Sequence, residues 1–215
     1  DAVGNILSKY KVRKIVHKEK GKSTLGGRKL WLDDNIGRLN IDGRGKYLGS
    51  FNLNDKILVI YTDGTYEMTS FDLSNRYNMT DVKFIEKFDK NLSITLLYYN
   101  GKNKNYFVKR FLIETSIMDK RFMLISDFRG SKLISVSSKD KVIIKYNYRT
   151  KNGDKKEKSV LNSDVVDIKG WKAAGNRLDD KLRMSGFEFS ELLEDHSDSE
   201  GQKKINNELE DLTLF

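Results

Sequence analysis

Lysine and arginine side chains are the residues of this chain with the clearest chemical use, because their cationic groups bind phosphate oxygens. The 215 residues contain 40 Lys and Arg against 31 Asp and Glu, which gives a formal net charge of +9. The densest stretch, Lys9–Lys29, holds nine Lys and Arg against Glu19 alone. Such a field attracts polyanions and releases their condensed counterions. Nucleic acid is therefore the favoured partner, and a solvated lysine-rich surface is the alternative.

The residue types that most catalytic and metal sites require are scarce. The chain has no cysteine and only two histidines, His17 and His196. These counts exclude disulfides, thiol catalysis and thiolate metal sites, and they leave no histidine cluster for zinc or for activation of a nucleophile. Most hydrolytic chemistry is therefore disfavoured, and we expect no metal site in this chain.

The length and composition predict a folded protein without a membrane partner. A hydrophobic content of 38% over 215 residues can fill the core of one large or two small domains. No apolar run approaches the roughly 20 residues that a membrane-spanning helix needs, and the first residues do not have the pattern of a signal peptide. We expect a cytoplasmic protein. Because the sequence begins at Asp1, we interpret it as a piece of a longer chain.

The charge is distributed unevenly along the sequence. Residues 186–215 contain nine Asp and Glu against two Lys, so the remaining 185 residues are strongly basic. This division predicts a folded basic domain over 1–185 and an acidic tail over 186–215 that is disordered or partly helical. One or two amphipathic helical turns are expected within Phe187–Glu194. The tail could also compete with a polyanion for the basic surface.

Alternating apolar and polar residues, interrupted by turn dipeptides, are typical of antiparallel strands joined by hairpins. The clearest case joins Ile57–Thr62 to Thr65–Phe71 through Asp63-Gly64, a dipeptide that favours a type I′ turn. Four further hairpins are predicted by the same pattern. They join Lys29–Leu32 to Gly37–Ile41, Ser93–Tyr99 to Asn105–Ile113, Phe122–Ser126 to Lys132–Val136, and Val142–Tyr148 to Lys156–Leu161.

The hairpin turns recur along the chain, which suggests a repeated unit. Their glycines are Gly37, Gly64, Gly101, Gly130 and Gly153. Two hairpins would make one four-stranded sheet every fifty-odd residues, so the sequence predicts about four blades arranged radially. An irregular β-sandwich is the alternative that shares this alternation.

Four segments of the sequence resemble the C-terminal domains of bacterial type IIA topoisomerase A subunits. Asn105–Glu114 after Asn100-Gly101 is similar to the repeat of that family that contains a V-K-R triplet, and Asp55–Gly64 resembles a second copy. Gly37–Asn40 with Arg44–Gly49, and Asp167–Leu178, resemble topoisomerase IV A subunits of the Bacteroidetes type. The string K-G-W-K-A-A-G-N-R-L within Asp167–Leu178 is the most specific of these matches.

The resemblance implies an all-β fold, the β-pinwheel, of propeller-like antiparallel blades whose basic rim binds and bends double-stranded DNA. It implies a domain that is not an enzyme by itself and that works with the N-terminal part of the same A subunit and the ATPase B subunit. It implies no cofactor in this domain, because ATP and Mg²⁺ would act elsewhere in that enzyme. It also implies that the enzyme works in the bacterial cytoplasm, at the nucleoid. The catalytic tyrosine of the family lies in a region outside this sequence.

The resemblance also bears on the kind of topoisomerase. Gyrase A subunits carry a glutamine-containing basic and glycine-rich box that is needed for DNA wrapping. Here Gly26-Gly27-Arg28-Lys29 follows Ser23-Thr24-Leu25, without the glutamine and its basic neighbours. This departure favours decatenation and relaxation by a topoisomerase IV-like enzyme. A gyrase-like wrapping domain and a bladed protein-interaction module remain the alternatives.

Candidate DNA contacts are cations that lie in the basic segment, beside turns or on the strand with the V-K-R triplet. Lys109 and Arg110 are adjacent on that strand and, with Lys102 and Lys104 in the preceding turn, could form a phosphate clamp. The contacts are expected to reach phosphates and DNA shape instead of base edges. The full set of candidate residues is Lys9, Lys11, Arg13, Lys14, Lys22, Arg28, Lys29, Arg38, Arg44, Lys46, Lys102, Lys104, Lys109, Arg110, Lys169, Lys172 and Arg177.

Overall fold

The computed structural model of the chain describes residues 27–115 and 117–191, which form fifteen strands and one short helix. No helix in these two ranges is long and apolar enough to cross a membrane. The strands are β1 (Arg28–Asp33), β2 (Arg38–Asn40), β3 (Lys46–Phe51), β4 (Ile57–Tyr61), β5 (Thr65–Thr69), β6 (Val82–Lys87), β7 (Ile94–Asn100), β8 (Asn105–Leu112), β9 (Phe122–Met123), β10 (Lys132–Ser137), β11 (Val142–Arg149), β12 (Lys155–Leu161), β13 (Ile168–Gly170), β14 (Asn176–Arg177) and β15 (Leu182–Glu191), with α1 (Asn162–Val165) after β12.

The strands form four small sheets. Their orders are β2-β1-β3, β6-β4-β5-β9, β10-β7-β8-β13 and β12-β11-β15, and β14 also pairs with β8. All pairings are antiparallel except that of β13 with β8. The predicted fold class, an all-β pinwheel of about four antiparallel blades, is confirmed, although the described strands per sheet number from three to five.

Each sheet is built around a single hairpin, and this topology repeats along the chain. The hairpins are β1–β2, β4–β5, β7–β8 and β11–β12, and a return strand, β3, β6, β10 or β15, pairs with the first strand of each. In the last three units, the chain between the hairpin and the return strand crosses to the preceding sheet. There β9 pairs with β5, β13 and β14 pair with β8, and Arg76 bridges to Arg38 on β2.

The crossing topology overturns one predicted hairpin. Phe122–Ser126 and Lys132–Val136 do not pair with each other, because β9 belongs to the second sheet and β10 to the third. The physical reason is burial: Leu124 and Ile125, just after β9, enter the apolar cluster between these two sheets. One hairpin per sheet therefore replaces the predicted two.

Strand alternation explains how the sheets pack. On β4, Ile57 and Val59 enter the cluster shared with the first sheet, whereas Leu58 and Ile60 enter the cluster shared with the third sheet. On β7, Leu97 faces the fourth sheet, and its neighbours in the strand face the second. Consecutive sheets thus pack face to face, and the second and third sheets are covered on both sides.

The turn between β4 and β5 differs from its predicted type. It is a three-residue loop in which the amide of Gly64 donates to the carbonyl of Tyr61 at 3.0 Å, and Gly64 has a φ of +83°. Asp63 has no positive φ, so the predicted type I′ turn is wrong. Its carboxylate instead accepts from the amide of Thr65 at 2.8 Å. A Cβ on Gly64 would lie 2.4 Å from Ile125, so the crossing chain packs directly on this turn.

The last described strand overturns the helical prediction for the start of the tail. Phe187–Glu191 belongs to β15, which pairs with β11 as far as the pair of Val142 and Glu191. Phe187 and Phe189 pack on the cluster between the third and fourth sheets, and this apolar contact favours a strand over a separate helix. The folded part therefore continues beyond the predicted boundary at 185. Residues 192–215 of the predicted tail lie outside the described residues.

Candidate nucleic-acid interface

The hairpin turns of all four sheets lie at the same end of the molecule. Each return strand starts beside the turn of its own sheet, since Lys46, Val82, Lys132 and Leu182 pair near the ends of β1, β4, β7 and β11 respectively. Adjacent turns are joined by the crossing chain: the amide of Leu124 donates to the carbonyl of Gly64 at 2.9 Å. We call this edge of the molecule the turn end.

The third and fourth sheets carry most of the cations at the turn end. The first two turns carry Asp33, Asp34 and Asp63; Arg38 and Lys46 lie beside the first turn, and Arg121 pairs with Asp63 beside the second. The turns of the third and fourth sheets carry exposed cations, which we call the basic turn surface, although Asp127, Asp154 and Asp180 are also exposed there. The basic turn surface comprises Lys102, Lys104, Arg129, Lys132, Arg149, Lys151, Lys155, Lys156, Lys181 and Arg183.

The third turn combines cations from two separate parts of the chain. Lys102 and Lys104 lie in the turn itself, and Lys132 begins the return strand opposite Tyr99. The preceding loop is fixed against this turn, because the amide of Gly101 donates to Ser131 Oγ at 3.1 Å. Within the described part of the chain, none of these three lysines forms an ion pair with a carboxylate, so their charges remain available to an external anion.

Most of the basic turn surface was not among the predicted contacts. Only Lys102 and Lys104 were, and the structure places them in the turn where they were expected. A local charge count over Arg149–Lys158, which holds five Lys and Arg against two acids, could have found the fourth turn. No local count could have found Arg129 and Lys132, because the crossing chain brings them to the third turn from a distant part of the sequence.

The predicted contacts on the first sheet are exposed but partly engaged. Arg44 pairs with Asp42 at 3.3 Å, and Lys46 donates to the carbonyl of Ile85 at 3.0 Å. Arg38 lies opposite Arg76, and Arg28 and Lys29 begin β1. The structure thus places this group on the first sheet, where Arg38 and Lys46 lie beside the first turn and not at the turns of the third and fourth sheets. Their contact with DNA stays a prediction.

The remaining predicted contacts fall in two groups. Lys169, Lys172 and Arg177 are exposed in the crossing chain between β12 and β15, where Lys169 donates to Asn176 Oδ1 at 3.1 Å and Arg177 pairs with Asp180. Their role also stays a prediction. Outside the described residues lie Lys9, Lys11, Arg13, Lys14, Lys22 and the segment Ser23–Gly26 of the glycine-rich box.

The phosphate clamp predicted at Lys109 and Arg110 is wrong, because both side chains are buried, at 4% and 7% exposure. Adjacent strand residues do point to opposite faces, as expected, but β8 lies inside the third sheet and both of its faces are covered. Lys109 therefore faces the second sheet and Arg110 the fourth. The two side chains connect neighbouring sheets instead of binding an external phosphate.

Lys109 joins three parts of the chain. Its Nζ donates to the carbonyl of Trp171 at 2.9 Å and to the carbonyl of Leu124 in the crossing chain after β9. Burial lowers the pKa of Lys109 to about 8. The loop of the K-G-W-K-A-A-G-N-R-L string closes over this lysine, and a Cβ on Gly175 would lie 2.6 Å from its Cγ. The most specific string of the sequence is therefore explained by packing around Lys109.

Arg110 makes the equivalent connection on the other face of β8. Its guanidinium donates to Asp140 Oδ1 at 3.0 Å, to the carbonyl of Asp140 at 3.3 Å and to the carbonyl of Val166 at 3.5 Å. Asp140 lies in the loop between β10 and β11, and Val166 follows α1. Arg110 thus holds the third sheet against the chain that enters and leaves the fourth-sheet hairpin.

Asp179 fixes the third turn relative to the fourth sheet. Its carboxylate accepts from Tyr146 Oη and Lys158 Nζ, both at 2.6 Å, while its carbonyl accepts from Asn105 Nδ2 at 3.4 Å. Burial by itself raises the pKa of Asp179, but the hydrogen bonds from Lys158, Tyr146 and the amide of Asp180 outweigh it and lower the pKa to about 2. The two halves of the basic turn surface are thereby held side by side.

Replacing Asp179 by asparagine should lower the free energy of unfolding by about 2 kcal/mol at pH 7. The depressed pKa stabilises the fold fully above the unfolded value of 3.8, and this stabilisation is lost as the pH falls from 3.8 towards about 2. Urea unfolding of both proteins between pH 7 and pH 2.5 measures the difference. A difference that stays constant down to pH 2.5 would contradict the role given to the Asp179 carboxylate.

Comparison with protein families identifies the chain. Residues 38–182, more than half of the sequence, match the family described as the topoisomerase C-terminal domain of Bacteroidota. The chain belongs to this family. Among solved structures, the crystal structure of the C-terminal domain of DNA topoisomerase IV is similar at 15% identity and a TM-score of 0.41. That alignment covers 69% of this chain and 50% of that chain. No curated protein matches the sequence.

Membership in the topoisomerase C-terminal domain family confirms the resemblance drawn from the sequence. The matched range, 38–182, contains completely three of the four segments that carry the resemblance. It contains the fourth, Gly37–Asn40 with Arg44–Gly49, except for Gly37. It also includes the turns of the second, third and fourth sheets, whereas the first turn, residues 34–37, lies outside it.

Proposed function

We propose that this topoisomerase C-terminal domain binds and bends double-stranded DNA through the basic turn surface. In this role it guides a duplex for strand passage by a topoisomerase IV-like enzyme that decatenates and relaxes DNA in the bacterial cytoplasm at the nucleoid. Its partners would be the N-terminal part of its own A subunit and the ATPase B subunit. The domain contributes no catalytic group to this reaction and needs no cofactor of its own, since ATP and Mg²⁺ act elsewhere in the enzyme.

The observation that carries this proposal is the group of unpaired cations at the third turn. Lys102, Lys104 and Lys132 are exposed, come from two different elements, and have no carboxylate partner within the described residues. Like charges that lie near one another without a counterion repel each other, so a bound anion would stabilise the arrangement. The phosphate backbone of a duplex supplies regularly spaced anions that suit such a row.

The chemistry of the surface favours contact with the DNA backbone over reading of base edges. It consists of lysine and arginine on short turns, and no described helix has more than four residues. The major groove is usually read by an α-helix or by a two-stranded ribbon inserted into it, and the hairpins that could act as ribbons here are packed face to face in neighbouring sheets. Backbone contact along a row of turns instead favours DNA that bends easily, so bendability would set any sequence preference.

The salt dependence of duplex binding tests this function. If six to ten phosphates are neutralised, log K should fall with log salt concentration at a slope of roughly −5 to −9. Fluorescence anisotropy with a linear duplex at several salt concentrations, on the whole chain, gives this slope. Circularisation of a short duplex in the presence of the protein reports bending at the same time.

Two results would contradict the proposed function. The first is binding that is absent, or insensitive to salt, under conditions where the chain is folded. The second is capture of a protein partner through this surface after nuclease treatment, with unaltered DNA mobility, which would favour a protein-interaction module.

Plasmid decatenation by the complete enzyme, with and without this domain, would then separate topoisomerase IV-like from gyrase-like activity.

A further inference from the structure

A large apolar side chain is exposed at the turn end, next to the third turn. Phe128 is 50% exposed, and it directly precedes Arg129 of the basic turn surface. Both residues lie in the loop between β9 and β10, where the chain runs from the second turn to the third. Single exposed apolar residues are common on protein surfaces, so the surroundings of Phe128 decide what it can do.

The backbone holds Phe128 in a tight turn. The amide of Ser131 donates to the carbonyl of Phe128 at 3.0 Å, and Gly130 has a φ of +86°. A positive φ at the third residue is what a type II turn requires. The amide of Phe128 donates in addition to Ser126 Oγ at 3.3 Å. Hydrogen bonds therefore fix the backbone on both sides of the phenylalanine.

The turn at Phe128 is also fixed against the two neighbouring hairpins. On its C-terminal side, a Cβ on Gly101 would lie 2.4 Å from the carbonyl oxygen of Arg129, so the backbones of this turn and of the third turn touch. On its N-terminal side, Ile125 is buried against Gly64 of the second turn. Phe128 thus has a set position between the second and third turns, and little ordering of the loop is required when a ligand binds.

We propose that Phe128 is an apolar wedge that enters the minor groove of the bound duplex and partly unstacks one base-pair step, while Arg129 follows it into the groove. This inference rests on the proposed function, because the cations of the basic turn surface must first bring the duplex to the turn end. Proteins that kink DNA insert phenylalanine or another apolar side chain between base pairs, and their arginines bind in the same groove. Bending by this domain would then include a local kink at Phe128.

The charges around Phe128 favour the groove over the phosphate backbone at this point. Asp127 is exposed on the N-terminal side of Phe128, and its carboxylate would repel a phosphate. On the C-terminal side, Lys102, Lys104 and Lys132 at the third turn can contact phosphates that flank the kink. Pyrimidine–purine steps such as TA unstack most easily, so the kink should fall at such a step.

Two linear duplexes that differ only in their central step, TA in one and AA in the other, test the wedge with the whole chain. The unchanged chain should bind the TA duplex about fivefold more tightly, because this step is the easier one to kink. A 2-aminopurine in place of the adenine of the TA step should become more fluorescent on binding, since stacking on its neighbours quenches it. Phe128→Ala should abolish the fluorescence increase and the preference for TA, and it should slow protein-assisted ring closure of a short duplex at least about tenfold.

Two further variants separate a wedge from the loss of any exposed apolar side chain. Phe128→Leu keeps an apolar side chain that can enter a base step, so it should retain most of the fluorescence increase and of the preference for TA. Leu53→Ala is the matched control, because Leu53 is 88% exposed but lies in the loop between β3 and β4, at the opposite end of the first sheet from the turn end. This variant should bind and bend both duplexes as the unchanged chain does.

The results also separate the wedge from the proposed function. Phe128→Ala removes no charge, so its slope of log K against log salt should equal that of the unchanged chain. If the variant keeps this slope and still bends DNA and raises the fluorescence like the unchanged chain, the wedge is overturned and DNA binding stands. Bending of the TA duplex by the unchanged chain without any change in fluorescence would likewise overturn only the wedge. Binding by the unchanged chain that is absent or insensitive to salt would overturn the proposed function and the wedge together.

Discussion

Replacing Lys102, Lys104 and Lys132 together by alanine is expected to weaken duplex binding by several hundredfold at about 0.1 M salt. Each phosphate contact contributes about 0.9 to the slope of log K against log salt, so the loss of three contacts should also make that slope shallower by about 2.7. The three lysines are exposed, and the substitutions should leave the fold intact. Anisotropy titrations of the variant at several salt concentrations measure both quantities.

A matched variant separates position from net charge. Lys90, Lys120 and Lys139 are also exposed lysines, but they lie in loops away from the turn end. Their replacement by alanine removes the same charge, and it should weaken binding by less than about tenfold because only the general field changes. If the two triple variants lose affinity equally, the basic turn surface is not where the duplex binds. Diffuse attraction by the net charge would then explain the binding.

Arg110→Ala is expected to lower the free energy of unfolding by about 3 kcal/mol without a direct effect on DNA. Arg110 is only 7% exposed, and its guanidinium donates to two backbone carbonyls and one carboxylate. Removing it leaves the carbonyl of Val166 without this donor inside the core and opens a cavity beside β8. Urea unfolding at neutral pH measures the loss.

The same variant tests whether Arg110 contacts DNA, as the predicted phosphate clamp would require. At a temperature where both proteins are folded, Arg110→Ala should bind duplex within about twofold of the unchanged chain, because the buried guanidinium cannot contact a phosphate. Arg129→Ala removes an exposed arginine and should have the opposite pair of effects. Its free energy of unfolding should stay within about 0.5 kcal/mol of that of the unchanged chain, and its binding of duplex should be weaker. A strong loss of affinity with unaltered stability in Arg110→Ala would restore the clamp.

The hairpins could be predicted from sequence because their information is local. An alternating run, a short turn with glycine or asparagine and a second alternating run specify β4–β5, β7–β8 and β11–β12 almost by themselves. The resemblance to topoisomerase A subunits then supplied the arrangement of small sheets. The type of one turn was still predicted wrongly. At Asp63, a three-residue loop with a hydrogen bond to the carboxylate takes the place of the type I′ turn.

The strands that cross between sheets could not be predicted in the same way. β9 and β10 look like two halves of one hairpin, since each is short and a glycine turn lies between them, yet each pairs with a strand far away in the sequence. This pairing depends on which apolar side chains fill the space between two sheets, a property of the assembled fold.

The candidate site was predicted only in part for a related reason. A strand that contains Lys109 and Arg110 has the pattern of an exposed basic strand, and nothing in the sequence marks β8 as covered on both faces. The buried cations are tolerated because backbone carbonyls of neighbouring segments accept their hydrogen bonds. Conversely, Arg129 and Lys132 become part of the basic turn surface only through the crossing chain.

The crossing of each segment to the preceding sheet has a consequence for synthesis of the protein. A sheet receives its outer strand only after the hairpin of the following unit has been made, so β8 stays uncovered until β13 and β14 leave the ribosome. Domains generally fold as they emerge, N-terminal part first. In this protein, each sheet would be completed only when the following unit has been synthesised. A ribosome that stalls within β12 would therefore release a product whose third sheet still has an unpaired edge strand and can aggregate.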